Sequence, residues 1–387
     1  MDKIEEILTR GVSAIYPNRE ALEEVLKSGK KLKIYTGIDP TGKLHLGHMV
    51  VLRKLRQFQD SGHELILLIG DFTAQIGDPT DKTAVRRKLS PQEIEENSKN
   101  YKELIGKILD TGSSDLRFLH NEEWTNKLRP IDMHELASHF TVQQLIERDM
   151  FQERIKSGRE IYLHEFLYPI FQAYDAVTMD VDMQIGGNDQ IFNMLAGRSL
   201  VRKLKDKEKF VLATKLLTDP TGKKMGKTEG NIVELDDTPG NIYGKIMSFP
   251  DGMIEIGFEL LTDRDLGALN QNPRDAKAEL AFEVVKQLRG EQAAESAAAE
   301  FERVFKNKEA PAQVETKSVK SSNIVEAMVE AGLAPSKSEA RRLIDQKAVE
   351  VDSNPVDSWD WELQSGGEQL IQVGKFKFLK VRVKADE

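Results

Sequence analysis

The sequence contains no cysteine, which excludes disulfides and thiolate metal sites and leaves the compartment open. It also lacks any apolar run long enough to cross a bilayer. Its N-terminus, MDKIEEILTRGV, is charged where a secretory signal would be apolar. No membrane association is expected, and a cytoplasmic location is the default expectation. Positive charge is short as well: 55 Lys and Arg face 64 Asp and Glu, for a net charge of −9. That excludes a surface coated in basic side chains, so any contact with nucleic acid must run through local patches. What remains is a soluble globular composition, 31% charged over 387 residues, with room for two or three domains.

Five short runs rich in strand formers stand out: Leu32–Tyr35, Leu65–Ile69, Leu116–Leu119, Val181–Ile185 and Phe210–Leu217. Stretches with helical periodicity separate them, among them Val51–Gln57 and the long region Pro130–Tyr174. Strands alternating with helices predict an α/β fold with a parallel sheet covered on both faces. Ligands of such sheets sit beyond the carboxyl ends of the strands, and the most unusual sequence follows the first, second, fourth and fifth runs. After about Glu234 the strand signal fades into helices, one over Asp275–Leu288 and a second reaching Phe305. Residues 306–322 are polar and without period, as in a linker. Ser336 and Glu339 make a capping-box pattern opening a helix through Gln346, and a strand follows at Ala348–Asp352. In the strand-rich end LIQVGKFKFLKVRV the lysine alternation changes phase at Phe378–Leu379, which suggests a bulge or bend there.

Two segments carry chemistry. The first, Tyr35-Thr-Gly-Ile-Asp-Pro-Thr-Gly-Lys-Leu-His-Leu-Gly-His48, leaves the first strand and enters a helix. His45 and His48 fall on one face of its first turn, and Gly47 lets a bulky group approach the backbone. Exposed amides at a helix start, with two imidazoles, suit a phosphate. The second, Lys223-Lys-Met-Gly-Lys227-Thr-Glu-Gly-Asn231, sets three lysines and two glycines after the fifth strand, as a cationic lid for pyrophosphate would. Taken singly, each also fits an ordinary charged surface turn.

Together, HLGH and KMGKT resemble the HIGH and KMSKS signatures of class I aminoacyl-tRNA synthetases. Leu replaces Ile in the first, and the second departs at its third and fifth places while keeping Lys224 and Lys227. YTGIDPT, GDPTDK, YPIFQAYD and QIGGNDQ are similar to the tyrosyl enzymes in particular. The resemblance implies a Rossmann-like catalytic domain over 1–233 and an α-helical domain over 234–305. It further implies, after the linker, a small α+β RNA-binding domain over 323–387, like that of a small-subunit ribosomal protein. It also implies the reaction: L-tyrosine is activated by ATP, with Mg²⁺ arriving on the nucleotide, and the tyrosyl group passes to tRNA(Tyr). No protein-bound structural metal is expected, and a homodimer joined through Pro130–Arg154 is.

Carried over residue by residue, Tyr35 and Asp175 would hydrogen-bond the substrate phenol, with Asn121 near them. Asp39, Asp78, Tyr168 and Gln172 would belong to the tyrosine site, the last three toward the ammonium, and Gln190 would orient the carboxylate. Tyr168, Gln172 and Asp175 are spaced to share one helix face. Gly37, Gly47, Gly187 and Asp189 would hold ATP, the last two at the ribose. Thr41, His45, His48, Lys82, Arg86, Lys224 and Lys227 would act on the phosphates. Asp81 stands where the family has a small residue before Lys82, which weakens the transfer to Lys82 and Arg86. Lys337, Arg341, Arg342 and Lys347 form the local basic patch that an acidic chain needs to meet tRNA. A tryptophanyl enzyme and a non-catalytic RNA-binding relative are the alternatives; Tyr35 with Asp175 oppose the first, and the intact histidines and lysines the second.

Overall fold

The structure is a computed structural model that describes residues 2–78, 89–219, 221–222, 232–307, 316–364, 366–374 and 377–383. The chain divides into two compact units, Met1–Ala294 and Glu295–Glu387. The first holds a six-stranded sheet of β1 (Val12–Tyr16), β2 (Lys33–Ile38), β3 (Glu64–Ile69), β4 (Leu116–His120), β5 (Met183–Gly187) and β6 (Phe210–Thr214), in the order β1-β6-β5-β2-β3-β4. Strands β2 to β6 are parallel, as the alternation with helices implies, and Leu65 to Ile69 of β3 are all buried because both faces are covered. Strand β1 is an addition to the five expected. It runs antiparallel on the edge against β6, with a register shift between Val12 and Ala14, and its half-buried residues give no continuous apolar run. The first expected strand extends through Ile38. The last stops at Thr214, opposite Gly187 where its partner β5 ends.

The order of the strands locates the cleft. From β2 the chain crosses by the helix Leu46–Gln59 to β3 on one side, whereas β5 lies on the other side of β2. Connections that diverge from the carboxyl ends of two neighbouring strands open a crevice there. Pro130–Tyr174 breaks into short helices, Pro130–Ser138, Val142–Ile146 and Asp149–Lys156, before the helix Leu167–Thr178. Ile170, Ala173, Ala176 and Val177 of that last helix share a core with Leu200 and Val201 of the helix Ile191–Lys205. After β6 come the helices Pro239–Met247, Ile254–Leu261 and Pro273–Arg289, the last stopped by Gly290 at φ +89°.

The second unit builds its own core around Ile324, Met328, Ile344, Val349, Ile371 and Val381. Its sheet runs β7-β11-β10-β8-β9, from β7 (Thr316–Val319), β8 (Val349–Val351), β9 (Asn354–Pro355), β10 (Glu368–Val373) and β11 (Lys377–Val383). Three expectations change here. Strand β7 lies inside the stretch read as linker: it pairs parallel with β11, and of its four residues only Val319 is apolar and buried, too little for a hydrophobic signal. The bulge expected at Phe378–Leu379 is not formed, since Lys377 to Arg382 pair with β10 in unbroken register. Leu379, Val381 and Val383 point inward, and Phe378 lies on the less buried face with Lys380 and Arg382. Of the capping box only half forms. The Ser336 hydroxyl accepts from the Glu339 amide, but the Glu339 carboxylate turns to Arg342 at 2.6 Å.

Candidate active site

The carboxyl ends of β2, β3 and β4 deliver Asp39, Thr73 and Asn121 to one buried cluster, and the helix Leu167–Thr178 closes it with Tyr168 and Asp175. Asn121 Nδ2 donates to Asp175 Oδ2 at 3.2 Å and to Thr73 Oγ1 at 3.1 Å, while the Phe72 amide donates to Asn121 Oδ1 at 2.9 Å. Trp124 Nε1 donates to the other Asp175 oxygen at 2.8 Å. Thr73 Oγ1 and the Tyr168 hydroxyl donate to the two oxygens of Asp39, at 2.7 and 2.9 Å. Gly70 is required beside them, because a Cβ there would lie 2.0 Å from Asp39 Oδ1. Burial raises the Asp175 carboxyl to about 7, against the pull of the Trp124 and Asn121 hydrogen bonds. Burial, with Asp39 second, keeps Tyr168 protonated far above the ordinary tyrosine range.

Tyr35 is fully buried on β2, and its hydroxyl has no hydrogen-bond partner among the described residues. Burial first, then the Asp175 carboxylate, push its pKa well up. A buried hydroxyl without a partner, beside a buried carboxylate raised toward neutrality, suits a ligand hydroxyl that can give to one and take from the other. Asp78 lies apart from this pair, accepting from Gln190 Nε2 at 2.7 Å and facing the buried Arg148 at 3.6 Å. Gln190 Oε1 in turn accepts from Asn193. Gln172 is half-buried on the same helix face as Tyr168 and Asp175. Gly37 is exposed, and Gly187 is tightly enclosed: a Cβ there would come 2.5 Å from Asp189 Oδ1.

The histidine pair caps its helix rather than flanking open amides. His45 Nδ1 accepts from the Gly47 amide and His48 Nδ1 from the His45 amide, both at 3.1 Å, with the rings 4.1 Å apart. The Leu46 amide donates to the Val233 carbonyl at 3.1 Å. These amides are therefore taken by the protein itself, which corrects the expectation of exposed amides for phosphate. With each Nδ1 accepting, the ring proton belongs on Nε2, so the imidazoles present donors. Gly47 is needed here, since a Cβ would fall 2.9 Å from the His45 ring. Thr41 is half-buried on the loop after β2, its amide bonded to the Asp39 carbonyl at 2.7 Å. Lys82, Arg86, Lys224 and Lys227 lie outside the described residues. The chain after the last of these is tied to the histidine segment, by a bridge between Glu234 and His45 and by the Leu235 amide on Leu44.

In the second unit Lys337, Arg341, Arg342 and Lys347 are exposed. Lys337 pairs with Glu326 at 2.5 Å, Arg342 with Glu339, and Arg341 lies 5.4 Å from the centre of the Trp359 ring. Sequence reasoning missed Thr73 and Trp124, which reach the cluster across many residues, and Arg148, which faces Asp78; none belongs to a local pattern. Trp124 had one usable signal, its place three residues beyond Asn121 after a strand.

Residues 27–306 match the family of class I tRNA synthetases for tryptophan and tyrosine, and residues 300–378 match the C-terminal domain of tyrosine–tRNA ligases. The tyrosine–tRNA ligase of Thermotoga maritima is 40% identical over 97% of this chain and 96% of its own. That of Carboxydothermus hydrogenoformans is 41% identical over 97% of both. The chain belongs to the tyrosyl-tRNA synthetases. The fold agrees. A C-terminally truncated mitochondrial tyrosyl-tRNA synthetase from Aspergillus nidulans superposes with a TM-score of 0.67 over 78% of this chain and 94% of that one, at 22% identity. A tyrosyl-tRNA synthetase from Archaeoglobus fulgidus, solved with L-tyrosine, gives 0.60 over 77% and 100%, also at 22%. The synthetase fold is thus a Rossmann-like catalytic sheet followed by helices and a distinct C-terminal unit. Among the described residues no helix is long and apolar enough to cross a membrane.

Proposed function

We propose that this synthetase binds tyrosine with its phenol between Tyr35 and Asp175, and that the buried, doubly donated Asp175 is the observation that carries the assignment. The chain activates L-tyrosine with ATP and transfers the tyrosyl group to tRNA(Tyr). Asp175 accepts from the substrate hydroxyl, while the unpartnered Tyr35 hydroxyl donates to it. Trp124 and Asn121 hold the carboxylate in place. Asp39, Asp78, Tyr168 and Gln172 supply acceptors toward the ammonium, and Gln190 orients the carboxylate.

That carboxylate is already a nucleophile and attacks the α-phosphate in line, so no general base is needed. Pyrophosphate leaves, and catalysis consists of positioning and of stabilising negative charge. Donors suited to this are the Nε2–H groups of His45 and His48, with Thr41, Lys82, Arg86, Lys224 and Lys227. Gly37, Gly47, Gly187 and Asp189 leave room for and hold the nucleotide, and Mg²⁺ accompanies it as part of the substrate. A hydroxyl of the terminal tRNA ribose then takes the tyrosyl group. Lys337, Arg341, Arg342 and Lys347 meet tRNA phosphates. The exposed apolar side chains Ile131 and Val142, with Ile155 and Leu163 just beyond, support a homodimer joined through the region Pro130–Arg154. A cytoplasmic enzyme is consistent with this reading.

Tyrosine-dependent exchange of pyrophosphate into ATP tests the assignment, and exchange driven by tryptophan, or none, would refute it. A chain ending at Ala310 should still exchange pyrophosphate but lose tRNA charging. Charging by the intact chain should weaken with salt as phosphate contacts do. A fragment that charges tRNA as well as the whole chain would remove the C-terminal unit from the account.

A further inference from the structure

A lysine lies fully buried beneath the phenol end of the cleft. Lys209, the residue before β6, has an accessibility of 0%. Among the described residues its amine meets only carbonyl oxygens, Gln184 Oε1 at 2.6 Å and the Met194 carbonyl at 3.1 Å. Burial draws its pKa well below the ordinary lysine range, and the nearby Arg198 adds to this. Room for it is made by Gly197, where a Cβ would come within 3.1 Å of the amine. Burying an amine without a carboxylate is costly, and an apolar chain of equal length would fill the space without that cost.

Its position suggests what offsets the cost. The amine stands 5.6 Å from the centre of the Tyr35 ring. Its partner Gln184 is register-paired with Tyr35 across β5 and β2. Gln184 also faces the Tyr35 hydroxyl, whose pKa its side chain lowers against the rise from burial. A glutamine amide has one accepting and one donating end, and the two are set by whichever neighbour is more demanding. The amine donates to the Gln184 oxygen, so the amide nitrogen is left for the other side. With the opposite orientation, the Gln184 oxygen would take the Tyr35 proton.

We propose that Lys209 is a positioning residue for substrate selection: by claiming the Gln184 oxygen it turns the amide nitrogen toward Tyr35, so that the Tyr35 proton stays available for the substrate phenol. The inference rests on the assignment of Tyr35 to the phenol. The test is the ratio of kcat/KM for tyrosine over phenylalanine in pyrophosphate exchange, in the full chain, for the wild type, Lys209→Met and Gln184→Glu. Gln184→Glu keeps a partner for Lys209 but removes the amide donor. Both variants should lower the ratio about two- to tenfold, the span of one neutral hydrogen bond. In a Tyr35→Phe background, Lys209→Met should change the ratio no further. A merely structural lysine would lower both substrates in proportion, and an unchanged ratio in folded Lys209→Met overturns the proposal. Should that variant fail to fold, an unchanged ratio in Gln184→Glu overturns it equally. Should neither variant fold, a neutron structure of the wild type with tyrosine decides: the deuterated Gln184 amide nitrogen within hydrogen-bond distance of the Tyr35 oxygen supports the proposal, and the Gln184 oxygen there refutes it. A wild type that exchanges pyrophosphate without tyrosine preference would instead refute the assignment of the site itself.

Discussion

At one end of the cleft Asn121 and Trp124 both donate to Asp175, with Asp175 and Asn121 each at 1% exposure. At the other, His45 and His48 sit half-buried at a helix start, and the cations proposed for the phosphates, Lys82, Arg86, Lys224 and Lys227, follow β3 and β6 in sequence. The contrast matches two tasks. Selecting a phenol requires polar groups that pay heavily when left unpaired, and only burial makes them so. Stabilising charge on a departing pyrophosphate requires cations and donors, whose long-range field needs less enclosure.

The contrast can be sharpened from both sides. The largest effect expected is on stability at the phenol end. The folded Asp175 carboxyl titrates near 7, above its ordinary 3.8, so the folded state holds a proton that the unfolded state has already lost. That contribution is complete below pH 4 and is lost as pH rises to 7, by on the order of 4 kcal/mol. Asp175→Asn abolishes the titration. Denaturant melts at pH 4 and 7 should therefore show the variant gaining on the wild type as pH rises, and parallel curves would mean that Asp175 is not strained by burial.

At the phosphate end, Lys227→Ala should remove about 2–4 kcal/mol of transition-state stabilisation and leave tyrosine binding nearly intact. A raised tyrosine KM with normal turnover would put Lys227 at the wrong end. Smallest is Tyr35→Phe, which deletes one neutral hydrogen bond and should cost about 0.5–1.5 kcal/mol in tyrosine activation. Its effect should fall on discrimination more than on rate.

The same contrast governs what could be read in the sequence. HLGH is contiguous because a helix start is a local structure, so its chemistry shows in neighbouring letters. The parallel strands were legible for a related reason: burial on both faces leaves unbroken apolar runs such as Leu65–Ile69. The phenol end is assembled across the sheet, and only its helical part, Tyr168 with Asp175, kept a visible spacing. Thr73 and Trp124 reach it from short helices after two separate strands, and Lys209 looks in sequence like one more surface cation in LKDKEKF. Edge strands β1 and β7 were missed because each packs only one or two side chains into a core, too few to make an apolar pattern.

The central claim is that Asp175, held by Asn121 and Trp124, recognises the hydroxyl that separates tyrosine from phenylalanine. A site built to pair that hydroxyl rejects a substrate lacking it, a rule for which this enzyme family is itself the standard example. The direct measurement is pyrophosphate exchange with each amino acid in turn, for the wild type and for Asp175→Asn. The account predicts strong preference for tyrosine in the wild type and loss of most of it in the variant. A variant that discriminates as well as the wild type would contradict it.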